Sequence, residues 1–217
     1  MKIDAVIFDL DGTVIADEDE YGKAFAKVLS QFGIKVESMY PHVGGIGVEE
    51  NWIIFLQKYN IKTNKTVEEL ANETQDEYVK LISRITLKQG FKEFIEMLTQ
   101  ADIKIALATS NTWNIVGKLF DLLNLEEFFD YVTTGEEVGR KKPDPQIFLL
   151  TADKIGVLAE NCLVIEDSPA GIDAARAAKM KVVAIARDEE HKKSLKKADL
   201  IVEDFSEISS EMLVNLE

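Results

Sequence analysis

The apolar positions at the start of the chain form a short continuous run. Ala5 to Phe8 carry no polar side chain, which is typical of a strand buried on both faces of a parallel sheet. Two aspartates, Asp9 and Asp11, follow this run, and Gly12 comes next. Because open α/β sheets bind ligands at the carboxyl ends of their strands, this stretch predicts a charged site at the edge of a sheet.

Between residues 17 and 85 the apolar positions recur at the spacing of amphipathic helices. Thr66 and Glu69 have the spacing of a capping box and are expected to open the third of these helices. The inner faces of the three helices are predicted to hold Ala24, Phe25, Val28, Leu29 and Phe32, closed by Gly33; Trp52, Phe55, Leu56 and Tyr59; and Leu70, Leu81 and Ile85. This part of the chain is therefore expected to be an all-helical insert.

From Gly90 onward, helical stripes alternate with short apolar runs. The runs predict strands at residues 103–109, 131–134, 162–165, 181–186 and 200–202. Strands that alternate with helices indicate an α/β fold with a doubly wound, parallel, Rossmann-like sheet. We expect residues 1–16 and 86–217 to form the α/β core, and residues 17–85 to form a small helical domain inserted after the first strand.

The charge of the chain narrows the classes of partner. The formal net charge is -14 and the sequence pI is about 4.7, so the surface is expected to repel nucleic acids and anionic lipid. An anionic substrate would then need a local positive charge or a metal ion.

The remaining composition favours a cytoplasmic protein. Cys162 is the only cysteine, so an internal disulfide is impossible, as is common in a reducing compartment. The chain starts without a basic-then-apolar leader, and no apolar stretch approaches the ~20 residues that span a bilayer. We therefore expect a cytoplasmic protein without a membrane partner.

Four short polar motifs follow four of the predicted strands. Parallel strands bring their carboxyl ends to one edge of the sheet, so these motifs are expected to converge there. Each motif alone is weak evidence, but their order, spacing and strand context together are specific. The motifs are Asp9 with Asp11, Ser110 with Asn111, Lys142 before Pro143, and Glu166 with Asp167.

This set of motifs resembles that of the haloacid dehalogenase superfamily of phosphohydrolases, and the resemblance extends over the whole chain. The insert looks like the helical cap of that family. The stretches 142–148 and 165–172 are especially similar to the branch that holds phosphoglycolate phosphatases and β-phosphoglucomutases.

The resemblance implies a role for each motif. Asp9 would be the nucleophile that carries the phosphoryl group, and Asp11 would be the general acid and base. Lys142 would lie between the phosphate and Asp9, while Ser110 and the amide of Asn111 would bind phosphoryl oxygens.

A cation is also needed, because several carboxylates would face an anionic phosphate. The resemblance implies Mg²⁺, held by the side chains of Asp9 and Asp167 and by the carbonyl of Asp11. Glu166 is the fourth candidate at the metal, acting directly or through water.

The function expected from this resemblance is Mg²⁺-dependent hydrolysis of a small phosphorylated metabolite through an aspartyl phosphate. The alternative is a sugar-phosphate mutase of the β-phosphoglucomutase type, which is expected to have a histidine after the first motif and an arginine early in the cap. Residues 17–22 contain no histidine, and residues 45–49 contain no arginine. The pattern expected of phosphoglycolate phosphatases is missing too, so that activity is not assigned.

Three other functions fit less well. A dehalogenase of this fold does not need Asp11 as an acid and base. A phospho-acceptor signalling domain would be about half as long and would lack the helical insert. A degenerate binding domain would have lost a catalytic position, and none is lost here.

Overall fold

A six-stranded parallel sheet forms the centre of the computed structural model, which describes residues 2–38 and 40–216. In chain order the strands are β1 (Ala5–Phe8), β2 (Ile15–Ala16), β3 (Thr86–Leu87), β4 (Lys104–Ala108), β5 (Tyr131–Thr133), β6 (Cys162–Glu166), β7 (Lys181–Ile185) and β8 (Leu200–Val202). The helices are α1 (Glu18–Ser30), α2 (Val48–Lys58), α3 (Val67–Val79), α4 (Phe91–Gln100), α5 (Trp113–Leu123), α6 (Gln146–Ile155), α7 (Pro169–Ala177), α8 (Glu189–Ser194) and α9 (Ser210–Leu216).

The order of strands in the sheet is β5-β4-β1-β6-β7-β8, and all five pairs are parallel. β1 lies in the middle, with Ala5 opposite Lys104 on one side and Cys162 on the other. The carboxyl ends of β1, β4 and β6 therefore meet at one edge of the sheet. The predicted doubly wound α/β fold is confirmed.

The central strand is apolar throughout because both of its faces are covered. Val6 and Phe8 belong to one cluster of buried residues, and Ala5 and Ile7 belong to the other. Phe8 makes edge contacts with the rings of Phe91 and Phe94, at centroid distances of 5.8 and 5.9 Å. This packing fixes the end of β1, from which the first acidic motif projects.

The region between residues 17 and 85 is helical, as expected, with α1 and α2 both packed on α3. Thr66 and Glu69 form the predicted capping box: the Glu69 amide donates to the Thr66 hydroxyl at 3.1 Å, and the Thr66 amide donates to the Glu69 carboxylate at 2.7 Å. The division of the chain into core and cap at residues 17 and 85 stays a prediction.

The end of the third helix differs from the prediction. α3 stops at Val79, so Leu81 and Ile85 lie beyond it, although Ile85 is still buried in the core. The chain has to turn after α3 because β3 pairs with β2 in a two-stranded antiparallel ribbon. The ribbon joins the two connections to the helical region, and nothing in the local pattern predicted it. Within the described residues, no helix is long and apolar enough to cross a membrane.

Candidate active site

Three strand ends and one loop bring together most of the predicted site residues. Asp9 follows β1 directly, Glu166 is the last residue of β6, and Asp167 comes next. Lys142, in the loop before α6, reaches the same place. Ser110 and Asn111 follow β4. Asn111 contacts Asp11, whereas the hydroxyl of Ser110 contacts the loop before α2.

Lys142 is the centre of the arrangement. Its Nζ donates to Asp9 Oδ1 at 2.5 Å, to Glu166 Oε1 at 2.7 Å, and to the carbonyl of Ala108 at 3.3 Å. Burial lowers the pKa of this amine, but the charges of Asp9 and Glu166 outweigh burial and raise the pKa above its usual value. The lysine therefore remains a cation at neutral pH, held against the carboxylate of Asp9.

Glu166 has no free carboxylate oxygen. Its Oε1 accepts from Lys142, and its Oε2 accepts from the amides of Asp167 and Ser168 at 2.9 and 2.7 Å and from the Ser168 hydroxyl at 2.9 Å. Gly171 makes room for this carboxylate, because a Cβ there would lie 1.7 Å from Glu166 Oε1. Glu166 is thus locked in place facing Lys142.

Three buried carboxylates form a group suited to a cation. One carboxylate oxygen from each of Asp9, Glu166 and Asp167 lies within 4.8 Å of the other two, although both oxygens of Glu166 already accept hydrogen bonds. Burial raises the pKa of Asp9. The charge of Lys142 opposes this increase, and the charges of Glu166 and Asp11 add to it. A single lysine leaves the group with excess negative charge, and oxygen donors of this kind fit Mg²⁺.

Asp11 lies beside the cluster and is held by donors. Asn111 Nδ2 donates to both of its oxygens at 2.8 Å, and the hydroxyl of Thr109 donates to Oδ2 at 3.4 Å. Burial raises the pKa of Asp11, and the hydrogen bonds, which lower the pKa, only partly offset this increase. Interaction with the side chain of Asp17 acts, like these hydrogen bonds, to lower the pKa of Asp11.

Three residues of the helical region join this network, and the motif analysis missed them. The Tyr21 hydroxyl donates to Asn111 Oδ1 at 2.6 Å, and the Tyr78 hydroxyl donates to Asp17 Oδ2 at 2.8 Å. The two tyrosine rings stack at a centroid distance of 3.8 Å. Burial, together with the nearby acidic groups, raises the pKa of both phenols, so both remain hydrogen-bond donors.

Of the residues in this network, Asp11 and Asn111 belong to sequence motifs, whereas Asp17, Tyr21 and Tyr78 do not. Asp17 follows the apolar stretch Val14–Ala16, and Tyr21 lies one turn before the apolar stripe of α1. Neither position has a motif spacing. The contact of Tyr78 with Asp17 joins residues 61 positions apart, which no local pattern predicts.

The loop before α2 approaches the core closely. The hydroxyl of Ser110 donates to the carbonyl of Gly45 at 2.9 Å. Gly45 has a φ of +80°, and a Cβ at this position would lie 2.0 Å from the hydroxyl oxygen of Ser168. A glycine is needed here both for its backbone conformation and for the close contact.

A cavity of about 170 Å³ opens between this loop, the helical region and the strand ends. Asp9, Asp11, Ser110, Asn111 and Asp167 line its core side. Lys141 is half-buried and lines the cavity as well. The cavity therefore presents acidic, hydroxyl and amide groups of the predicted site, while Lys142 and Glu166 lie behind its lining.

Comparison with known proteins gives the family. The model of the haloacid dehalogenase-like hydrolases matches residues 6–185. The chain is 31% identical to a phosphorylated carbohydrates phosphatase of Thermotoga maritima, with 81% of this chain and 82% of that protein covered. It is 33% identical to the β-phosphoglucomutase of Bacillus subtilis, with 96% and 93% covered.

A solved structure agrees over nearly the whole length. The crystal structure of β-phosphoglucomutase from Clostridium difficile superposes with a TM-score of 0.87 and 29% identity, and covers 99% of this chain and 96% of that one. The expectation of an enzyme that hydrolyses phosphate esters is confirmed at the level of the family. The chain belongs to the haloacid dehalogenase-like hydrolases.

Proposed function

We propose that the protein is a Mg²⁺-dependent phosphatase that hydrolyses a small phosphorylated metabolite through an aspartyl phosphate on Asp9. The observation that carries this proposal is the pair of contacts from Lys142 to Asp9 and Glu166 inside a buried acidic cluster. A lysine in this position holds the nucleophilic carboxylate and offers positive charge to the incoming phosphate.

In the first step an oxygen of Asp9 attacks phosphorus, and the bond between phosphorus and the ester oxygen breaks. The leaving oxygen takes a proton from Asp11, whose raised pKa favours the protonated form. In the second step Asp11 takes a proton from water, the water oxygen attacks phosphorus, and the carboxylate of Asp9 is released. Each step leaves Asp11 ready for the next.

The metal would be held by the side chains of Asp9 and Asp167 and by the carbonyl of Asp11. When bound, Mg²⁺ would neutralise carboxylate charge and stabilise the negative charge of the phosphoryl group. Glu166 is proposed to act through Lys142 instead, because its oxygens already accept four hydrogen bonds.

Ser110 and Asn111 are proposed to contact the phosphoryl oxygens. The Ser110 hydroxyl can donate only one hydrogen bond at a time, so binding phosphate would break its bond to Gly45. The side chain of Asn111 would keep its place on Asp11. In this scheme the loop before α2 is released from Ser110 when substrate binds.

Hydrolysis is preferred over the mutase reaction of the B. subtilis relative. A mutase must return the phosphoryl group to the sugar and must hold a second phosphate. Among the described residues lining the cavity, Lys141 is the sole lysine or arginine. If β-glucose 1-phosphate were converted to glucose 6-phosphate without release of free phosphate, the mutase would replace the phosphatase as the proposal.

The direct test is phosphate release from p-nitrophenyl phosphate, with and without Mg²⁺. We expect turnover with Mg²⁺, none in excess chelator, and none for the variant Asp9→Asn. Asp121→Asn makes the same chemical change at an exposed position and is the matched control. Full activity in chelator would rule out the metal assignment, and an active Asp9→Asn variant would rule out the nucleophile.

A further inference from the structure

A second cavity, also of about 170 Å³, adjoins the cavity of the active site. His42, Gly44 and Asp167 line both cavities and therefore form the boundary between them. The remaining lining comes from Tyr40, in the same loop before α2, and from the core, at the start of α7 and in the segment after β7. This second space, the rear cavity, thus separates the loop before α2 from the core.

Arg187 is the sole lysine or arginine among the described residues that line the rear cavity. Its guanidinium lies over the ring of Tyr40, 4.4 Å from the centroid, and its Nε is 3.8 Å from a carboxylate oxygen of Asp188. That distance is too long for a hydrogen bond. The side chain is 28% exposed, and no described residue accepts a hydrogen bond from its guanidinium. The N–H groups of this cation are therefore available to a ligand.

His191 places a second donor in the lining of the rear cavity. Its side chain is buried, and its Nδ1 accepts from the main-chain amide of Arg187 at 3.3 Å. A neutral imidazole whose Nδ1 accepts carries its proton on Nε2. The main chain is fixed as well, because the amide of His191 donates to Asp188 Oδ1 at 2.6 Å. One short segment of the core thus holds a cation and a neutral N–H donor side by side.

These groups suit a small oxyanion. A guanidinium binds phosphate through paired N–H groups, and the imidazole N–H supplies a further donor. Asp167 is the sole carboxylate among the described lining residues, and in the proposed function its charge is offset by Mg²⁺. The proposed reaction releases inorganic phosphate in the adjoining cavity, so this oxyanion would be produced next to the rear cavity.

We propose that the rear cavity is a second binding site for inorganic phosphate, anchored by Arg187, and that phosphate bound there restrains the loop before α2. The ligand contacts Arg187 and His191 of the core and fills the space behind Tyr40 and His42. In the proposed function the loop is released from Ser110 when substrate binds, so phosphate in the rear cavity lowers turnover. The site itself does not depend on the proposed function, whereas its effect on turnover does.

Calorimetric titration of inorganic phosphate into the protein with Mg²⁺ tests the site itself. We expect two binding events in the wild type, one of them weakened at least about tenfold in Arg187→Gln, as for the loss of a hydrogen bond to a charged group. Arg84→Gln makes the same change at an exposed position outside both cavities and is expected to keep both events. Sodium chloride at matched ionic strength controls for screening. Equal phosphate binding by Arg187→Gln and the wild type would overturn the proposal.

Initial rates with p-nitrophenyl phosphate at several phosphate concentrations test the effect on turnover. In the proposed mechanism phosphate is the last product to leave the active site, so there it competes with substrate and raises only KM. Phosphate in the rear cavity lowers kcat as well. We expect both effects in the wild type and only the first in Arg187→Gln. Purely competitive inhibition of the wild type would overturn the restraint of the loop. Failure to hydrolyse p-nitrophenyl phosphate would overturn the proposed function, while the titration still decides on the site.

Discussion

At the scale of a single residue, the burial of Asp11 affects both the stability of the fold and the reactivity of the site. Burial raises the pKa of its carboxyl, so the folded state binds this proton more tightly than the unfolded state does. The contribution to stability is then greatest below the unfolded pKa and is lost as the pH rises through the folded pKa. The charged form needed for water activation is the form that burial disfavours.

The variant Asp11→Asn tests both effects. Without metal at pH 7.5 we expect it to be at least as stable as the wild type, with the difference shrinking toward pH 5, as measured by thermal unfolding in chelator. Turnover with Mg²⁺ is expected to fall severely, because an amide cannot transfer the proton. Near-normal rates would contradict the acid and base role, and a large loss of stability at pH 7.5 would contradict the cost assigned to burial.

Single motif residues were the part of the site best anticipated by the sequence. Asp9, Lys142, Glu166 and Asp167 come together in the structure, because a short apolar run marks each strand and parallel strands align their ends. Their catalytic and metal-binding roles stay predictions. The sequence could not show that all oxygens of Glu166 are used by Lys142, Asp167 and Ser168, since that depends on the course of the loop after β6.

At the level of elements, the first turn of α7 fixes the position of the Glu166 side chain. Ser168 caps this helix by accepting from the amide of Gly171 at 3.0 Å. The same glycine leaves the space that the carboxylate of Glu166 fills. The first turn of α7 and the contact between Glu166 and Lys142 therefore form one structural unit.

Gly171→Ala tests this unit. We expect the new Cβ to displace Glu166, to lower the free energy of unfolding by about 1–3 kcal/mol, and to reduce kcat. Gly117→Ala is the matched control: it makes the same change inside α5, where a Cβ meets nothing within 4 Å, and it is expected to be neutral or stabilising. Equal behaviour of the two variants in thermal unfolding and turnover would contradict the account.

A second link between elements joins α1 to the site through Tyr21. Tyr21→Phe leaves the buried Asn111 Oδ1 without its donor, so Asn111 should hold Asp11 less firmly. We expect kcat to fall about tenfold while KM changes little, as measured with p-nitrophenyl phosphate. The control Tyr59→Phe changes a tyrosine at the end of α2 whose hydroxyl makes no hydrogen bond to a described residue. An unchanged kcat for Tyr21→Phe would show that α1 does not position the acid.

The elements themselves were predicted unevenly. Helix and strand positions followed from apolar spacing, and the Thr66 capping box was confirmed. The ribbon of β2 and β3 was not predicted, because two-residue strands carry no period. The end of α3 was placed too late, because Leu81 and Ile85 continue the apolar spacing while the backbone turns toward β3.

For the whole molecule, the ends of the parallel strands supply one half of the cavity lining, and the helical region with the loop before α2 supplies the other half. The net charge of the chain is -14. Against this background, Lys142 contacts the carboxylate cluster and Lys141 lines the cavity. The sequence could indicate the first half from motifs, but it could not indicate which helix faces line the cavity. Those faces depend on contacts between distant segments, such as that of Tyr78 with Asp17.

The central claim is that Asp9 carries the phosphoryl group, and acid quenching tests it most directly. Enzyme turning over a radiolabelled phosphate ester with Mg²⁺ is quenched in acid and digested, and the labelled peptide is identified. We predict a base-labile label on the peptide that contains Asp9, and none in Asp9→Asn. Label at another residue, or turnover by Asp9→Asn at the wild-type rate, would contradict the account.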